Sequence, residues 1–486
     1  MKNDNINYFY VDKSEDPVVQ AKNLRGFINN KLKNKNFSNF LNAISKNFSL
    51  PKETVEFETK QYLIRNHDFV NGKFRNIFNF TVTFKSLLIF ILSYIFILIF
   101  SKKITLKKNV DIIYDECESE NEINRVKNLG KHFKSYSIIS PLNLKGNPNI
   151  FQFRKYMGCD RDFLLGNAKT IVLKNFFHSI YYSFSEKTNL VSIYLHIFKK
   201  LIKYETIFNQ IQSKYLLQER HYTTSAIKNY IFKKKGGRIT TCLQKNIIQI
   251  GETGFCINTD ILFSLGKKGT EVLKFTDSQI LKIIPVGSTF MENWLNLKKE
   301  EEKIYDLVNF AGNDVPLFAV KDNYMKNYYE HLRWLARLSK EYPELKIIIK
   351  HHSNNEKTDI YEMRIIEGTS IRRVVKGESN NSINHTSYGY GINAKFICTW
   401  CSTIAYEFLG NKKPCFFLDP NLENNSWLHY ENYNSFMRIG SYEQFKEKAL
   451  DAIFHNKLPV IKNEEDFCLK SDNVSKIIYD NLKKNI

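Results

Sequence analysis

Polar and apolar positions alternate along most of the chain, but the pattern breaks at Ser86–Phe100, SLLIFILSYIFILIF, a run of fifteen residues with no charge. As a helix rising about 1.5 Å per residue it covers roughly 22 Å, short of a bilayer crossing. Extended back to Phe78 it reaches across only if Lys85 snorkels or faces protein. Apolar residues at every angle leave no polar stripe, which predicts lipid on at least part of its surface; the alternative is a buried core helix. Lys73 and Arg75 precede the run, and Lys102, Lys103, Lys107 and Lys108 follow it. Two basic flanks select no orientation under the positive-inside rule, and they suit a monotopic anchor on the cytoplasmic face, where neither flank has to cross.

From Asn109 the period changes to short apolar runs alternating with helical segments. NVDIIYDE (109–116) predicts a strand, ENEINRVKNLGKHF (120–133) a helix and SYSIIS (135–140) a strand. Residues 176–217, rich in Phe, Tyr and Lys, predict helix, and 221–246 predict a helix, a Gly-Gly break, a strand and a loop. INTDILFSLG (257–266) and SQILKIIPVGS (278–288) continue the rhythm. A second series starts near Ile304. It includes the amphipathic NYYEHLRWLARLSKEYP, the strand LKIIIKHHSN, and then AKFICTW, a sharp Cys401-Ser402-Thr403 turn, the helix IAYEFLG and the strand CFFLD. Such alternation predicts parallel sheets in two Rossmann-like domains. The expected division is an N-terminal helical region at 1–104 carrying the anchor at about 78–100, a first α/β domain at 105–292 and a second at 293–486.

The totals narrow the partners. Lys and Arg number 71 against 50 Asp and Glu, a formal charge of +21, which attracts polyanions such as anionic lipid or nucleotide diphosphates. The lysines are spread without an RNP-like or helix-turn-helix pattern, so nucleic acid is not an expected partner. Eight scattered cysteines and no secretory signal predict reduced thiols. Cys398 and Cys401 form a CxxC, but no second pair or nearby histidines accompany it, so no metal site is expected.

In a parallel sheet the ligand side lies at the carboxyl ends of the strands, where both His351/His352 and Ser402/Thr403 fall. Ser402 and Thr403 open a helix, and there free backbone N–H groups, two hydroxyls and the positive end of the helix dipole suit one anion, as a phosphate requires. Glu407 lies four residues on from Thr403 on the same helix face and is a candidate acceptor for a ribose or sugar hydroxyl. Helix capping by Ser402 with a solvated Glu407 explains the same pattern without a ligand. The histidines are candidates for diphosphate binding or proton transfer, or plain strand-end residues.

Together IIIKHHSN, the block SYGYGINAKFICTWCSTIAYEFLGNKKPCFFLDP and the earlier IIPVGSTFMENWL resemble bacterial surface-carbohydrate biosynthesis proteins of the GT-B type, a group that includes CDP-glycerol glycerophosphotransferases and capsule polysaccharide transferases. The resemblance covers roughly 220–440. It implies two Rossmann-like domains facing across a cleft. His352 matches the family's turn histidine, Ser402 and Thr403 its hydroxyl pair, Glu407 its acidic position, Lys413-Pro414 the following turn and Gly287-Ser288 the interdomain turn. Where many relatives carry a QHG loop, this chain has Gln244-Lys245-Asn246, so Lys245 or Asn246 stands where the histidine would be. Ser353 also replaces the proline expected after the histidine.

The resemblance implies a membrane-associated, metal-independent glycosyltransferase of surface polysaccharide biosynthesis. Its substrates would be a nucleotide-activated donor, either a nucleotide sugar or CDP-glycerol, and a lipid-linked or polysaccharide acceptor, and no cofactor would be needed. Donor contacts would come from His351, His352, Ser402, Thr403, Glu407, Gly287 and Ser288, and the reacting centre from Lys245, Asn246 and His352. The implied location is the inner membrane, with the catalytic domains on the cytoplasmic side. The alternatives are a glycerophosphotransferase and a non-catalytic GT-B-like scaffold in a polysaccharide assembly complex.

Overall fold

The computed structural model describes residues 17–68, 73–74, 83–99, 108–115, 117–142, 149–152, 161–186, 188–246, 248, 256–296, 305–311, 324–351, 360–374, 386–400, 402–420, 437–460 and 464–484. Its contacts divide the chain into one unit of 1–263, 272–284 and 479–486 and another of 264–271 and 285–478.

The first unit opens with helices α1 (Pro17–Lys33), α2 (Lys35–Phe48) and α3 (Lys52–Arg65), a short antiparallel pair β1 (His67–Asp68) and β2 (Lys73–Phe74), and helix α4 (Thr83–Ile99). The α/β part follows: β3 (Lys108–Asp115), α5 (Glu120–Gly130), β4 (Tyr136–Ser140), β5 (Ile150–Gln152), α6 (Arg161–Glu186), α7 (Leu190–Gln210), β6 (Ile211–Gln218), α8 (Ala226–Lys234), β7 (Ile239–Leu243), β8 (Asn258–Ser264) and β9 (Gln279–Pro285). Seven strands join in the order β5-β4-β3-β6-β7-β8-β9, with β3 parallel to both β4 and β6. The chain builds outward from β3 in one direction and then from β6 in the other, so the topological switch point lies between those two strands.

The helix expected to run to 217 ends at Gln210, and Ile211–Gln218 is instead a central strand hydrogen-bonded to β3 and β7. Six of its eight residues are buried, and only Gln212 and Lys214 are not. A strand covered on both faces loses its alternation, and its apolar run cannot be told from a helix by period alone.

Helix α4 packs by one side. Ser86 and Phe90 are buried; Ser86 exchanges a 2.8 Å hydrogen bond with Ser192 and accepts one from Asn189, while the Phe90 ring stacks 4.2 Å from Phe176. Residues 78–82 and 100 of the expected anchor lie outside the described residues. Among the described residues no helix is long and apolar enough to cross a membrane.

The second unit holds α9 (Thr289–Leu295), β10 (Tyr305–Phe310), α10 (Tyr324–Glu341), β11 (Ile347–Lys350), α11 (Ile360–Ile366), β12 (Arg372–Val374), α12 (Ser387–Ile392), β13 (Ala394–Thr399), α13 (Ile404–Gly410), β14 (Cys415–Leu418), β15 (Arg438–Ile439) and α14 (Tyr442–Phe454). Six parallel strands run in the order β12-β11-β10-β13-β14-β15. The amphipathic period of α10 puts Leu332, Leu335 and Leu338 onto Ile347, Phe396 and Phe416. Each fully buried leucine is worth about 1.5–3 kcal/mol relative to exposure, and that burial seats the sheet edge described next. Helix α15 (Val474–Lys484) carries the chain back into the first unit, where Tyr479 meets the Phe133 ring at 5.0 Å.

Candidate functional site

In the second unit the strand order reverses between β10 and β13, so the carboxyl ends of these strands form its switch point. The chain leaves β13 there through Trp400, then Ser402 and Thr403 lead into α13. Trp400 is buried and lies parallel to the His331 ring at 5.8 Å. Burial pushes His331 down to about 4, so it stays neutral, bonded to the Tyr328 carbonyl and to Asn309. Above this floor Ser402 and Thr403 are half-buried and keep access to solvent. Thr403 is the residue that caps α13, with no first-turn N–H donating to its hydroxyl.

Glu407, on the next turn of α13, is turned inward and almost fully buried. Ser288 Oγ and Tyr388 OH both donate to its Oε2, the latter at 2.8 Å. Ser288 also caps α9 by accepting from the Met291 N–H, and its own N–H donates to Ser471 Oγ at 2.9 Å. Gly287 precedes it at φ +93°, where a Cβ would come within 2.8 Å of the Leu469 carbonyl oxygen. Only glycine takes this conformation and this approach without strain. The structure thus joins two expected residues, Ser288 and Glu407, through a hydrogen bond inside the protein.

His351 follows β11, on the far side of β10 from β13, about 10 Å away at ordinary strand spacing. It is buried, and its Nε2 lies 2.5 Å from Glu362 Oε1, which also accepts from Arg373 Nε at 2.7 Å. Burial opposes ionisation of Glu362, but His351 and Arg373 outweigh it and hold the carboxyl below its ordinary value. His351 thus sits in a buried cluster with Glu362 and Arg373. His352 and Cys401 lie outside the described residues.

In the first unit the corresponding edge carries a charged cluster. The sequence Ser119-Glu120-Asn121-Glu122 forms a capping box at the start of α5, with Ser119 Oγ bonded to the Glu122 N–H and Glu122 Oε2 accepting from the N–H groups of Glu118 and Ser119. The other oxygen, Oε1, accepts from Arg220 at 2.7 Å and from Lys245 Nζ at 3.2 Å. Arg220 follows β6 and reaches Glu118 as well, at 2.8 Å, so the cluster bridges the β3/β6 switch point. Burial would raise the Glu122 pKa, but the Arg220 hydrogen bond, the Glu118 N–H and Lys245 hold it at about 2. Burial first, and then the Arg220 charge, lowers Lys245 despite Glu122.

The Lys245 N–H also donates to His221 Nδ1 at 3.3 Å. A ring nitrogen that accepts is unprotonated, which agrees with burial and the Lys245 charge pushing His221 down to about 3. Asn246 is half-buried, and its carbonyl accepts from Gln244. The Gln244-Lys245-Asn246 loop is therefore supported by a histidine from the neighbouring strand end.

Glu122, Arg220, His221, Tyr388, Glu362 and Arg373 were not picked out from the sequence. The S-x-x-E spacing of Ser119 and Glu122 is a local signal that points to Glu122. The others meet their partners only through the tertiary fold, which leaves no local trace.

No protein family and no curated protein matches the sequence. Among solved structures, the UDP-GlcNAc 2-epimerase from Methanocaldococcus jannaschii is similar at 12% identity and TM-score 0.44, over 76% of this chain and 99% of that one. The UDP-GlcNAc 2-epimerase from Neisseria meningitidis bound to UDP-GlcNAc is similar at 10% identity and TM-score 0.44, over 78% and 100%. The wall teichoic acid polymerase TagF is similar at 10% identity and TM-score 0.38, over 77% and 88%. All three scores lie below 0.5, so the functional reading stands on the residues of this chain.

Proposed function

We propose that the protein is a membrane-associated, metal-independent glycosyltransferase of the GT-B type, or a closely related glycerophosphotransferase, that builds surface polysaccharide from a nucleotide-activated donor. The observation that carries this reading is the half-buried hydroxyl pair Ser402/Thr403 at the switch point of a parallel sheet, opening a helix where an anion is favoured. There the pair and the adjacent amides receive the donor diphosphate, with His352 as the partner the resemblance assigns. Glu407 acts indirectly in this scheme: bonded to Ser288 and Tyr388, it holds α13 and the 287–288 turn in place. Fixed dipoles and positive charge stabilise the leaving group as the acceptor hydroxyl forms the new bond and the donor bond breaks, a nucleoside diphosphate departing from a nucleotide sugar or a nucleoside monophosphate from CDP-glycerol.

Lys245 and Asn246, at the carboxyl edge of the other sheet, take the acceptor side. Lys245, with its lowered pKa, is the cation nearest that role, held in position by Glu122. The pairing of Lys245 with Glu122 also supports a second reading, a non-catalytic scaffold that keeps the nucleotide seat without the reaction.

Thermal stabilisation of the full chain by a panel of nucleotide sugars, nucleoside diphosphates and CDP-glycerol tests the seat, repeated with Ser402→Ala. A shift that weakens in the variant supports it; no shift with any nucleotide overturns it. Turnover of the stabilising donor with acceptor lipid separates the transferase from the scaffold.

A further inference from the structure

Helix α4 is buried along the line of Ser86 and Phe90, but its opposite side is bare. Leu88, Leu92, Ile95 and Ile99 recur every three or four residues and stand from 47% to 69% exposed. Its neighbour α6, joined to it by the Phe90–Phe176 stack, shows the same arrangement. Val172, Phe176, Ser179 and Ser183 face inward, while Leu173, Phe177, Tyr181 and Phe184 form one exposed row, the last three at 60% or more. Scattered exposed apolar residues need no explanation, but two adjacent helices with whole rows uncovered do.

The charge around these helices says what covers them. From 69 to 110 the chain has no Asp or Glu, yet it has Lys73, Arg75, Lys85, Lys102, Lys103, Lys107 and Lys108. Between 163 and 185 it again has no acid, and carries Lys169 and Lys174. Lys85 and Lys174 are exposed, and Lys108 is half-buried with its Nζ donating to Asn149 Oδ1. Apolar rows on stretches of chain that are basic over 69–110 and 163–185, with Asp162 and Glu186 only at the two ends of α6, fit the surface of an anionic bilayer, where side chains enter the acyl boundary and lysines meet headgroups. Helix α4 is about 25 Å long and pinned by Ser86 to Ser192 and Asn189, so it lies against its own domain and does not have to leave it.

We propose that the exposed rows of α4 and α6 form one monotopic face that lies in the plane of an anionic membrane, with α6 supplying an aromatic half absent from the sequence-based anchor. This deepens the membrane-associated part of the function proposed above and is independent of the nucleotide seat.

The test is flotation of the full-length protein with phosphatidylglycerol/phosphatidylcholine vesicles and with phosphatidylcholine alone. It compares wild type with Phe177→Ser/Tyr181→Ser/Phe184→Ser on α6 and Leu88→Ser/Leu92→Ser/Ile95→Ser on α4. The expected result is wild-type binding to the anionic vesicles, at least tenfold weaker to the neutral ones, and a loss of at least tenfold in each triple variant at unchanged melting temperature. An α6 variant that floats like wild type overturns the two-helix face, and so does a wild type that binds neither vesicle. A concentration-dependent dimer in sedimentation velocity that either variant dissolves would assign the face to a second copy of the chain and likewise overturn the proposal. The nucleotide shift, read on the same samples, reports on the donor seat alone.

Discussion

Ser288 Oγ donates a hydrogen bond to Glu407 Oε2 across 119 positions of sequence, with both residues buried and Tyr388 OH sharing the same oxygen. One carboxylate therefore ties the cap of α9, the start of α12 and the body of α13. A buried carboxylate deprived of a donor keeps its desolvation cost, about 1–3 kcal/mol for each hydrogen bond lost. Ser288→Ala, which also removes the α9 cap, is expected to destabilise the second unit by about 2–3 kcal/mol, and Tyr388→Phe by less. Urea denaturation of the two single variants and the double variant checks this; strictly additive losses would show that the two donors do not share Glu407.

Gly287→Ala places a methyl group where φ is +93° and the Leu469 carbonyl oxygen is 2.8 Å away. Overpacking against backbone costs about 1–3 kcal/mol. The melting temperature should fall, and an unchanged value would mean that the 465–471 segment gives way freely.

The buried His221 is neutral in the folded chain, with its pKa at about 3 against an ordinary 6.5. A depressed folded value means that its share of stability is complete above pH 6.5 and is lost as pH falls toward 3, because the unfolded chain takes up the proton first. The slope approaches about 1.4 kcal/mol per pH unit inside that window. His221→Gln, which still offers an acceptor to the Lys245 N–H, should flatten the decline between pH 6.5 and 5. Parallel slopes in chemical denaturation would exclude His221 as its source.

Lys245→Gln removes the cation at the first unit's sheet edge but leaves its fold nearly untouched, since the partly exposed pair with Glu122 is worth less than about 1 kcal/mol. Turnover with donor and acceptor is expected to fall about 10²-fold, the scale of one lost transition-state donor, while the nucleotide-induced thermal shift stays. Full activity in the variant would remove Lys245 from the reaction.

Several elements were legible in the chain because their signals are local. The strands β3, β4, β11, β13 and β14 are apolar runs bounded by turns, α10 carries a 3.6 period, and the Ser402-Thr403 turn stands between a strand and a helix in plain view. The uncharged run at 86–100 showed that α4 exists, and its lack of a polar stripe pointed to apolar surroundings. None of this depends on distant residues.

What tertiary structure decided is who faces whom. Parallel strands bring carboxyl ends together across loops of any length, so His221 meets Lys245, Arg220 meets Glu122, and His351 meets Glu362. The same holds for β6, hidden in the sequence because both its faces are covered, and for α4, where only packing against Phe176 and Ser192 separates the buried side from the bare one. Period reports how a segment is shaped. The side chains it meets are set by the sum of contacts over the whole domain, and those contacts have no counterpart in any short window of residues.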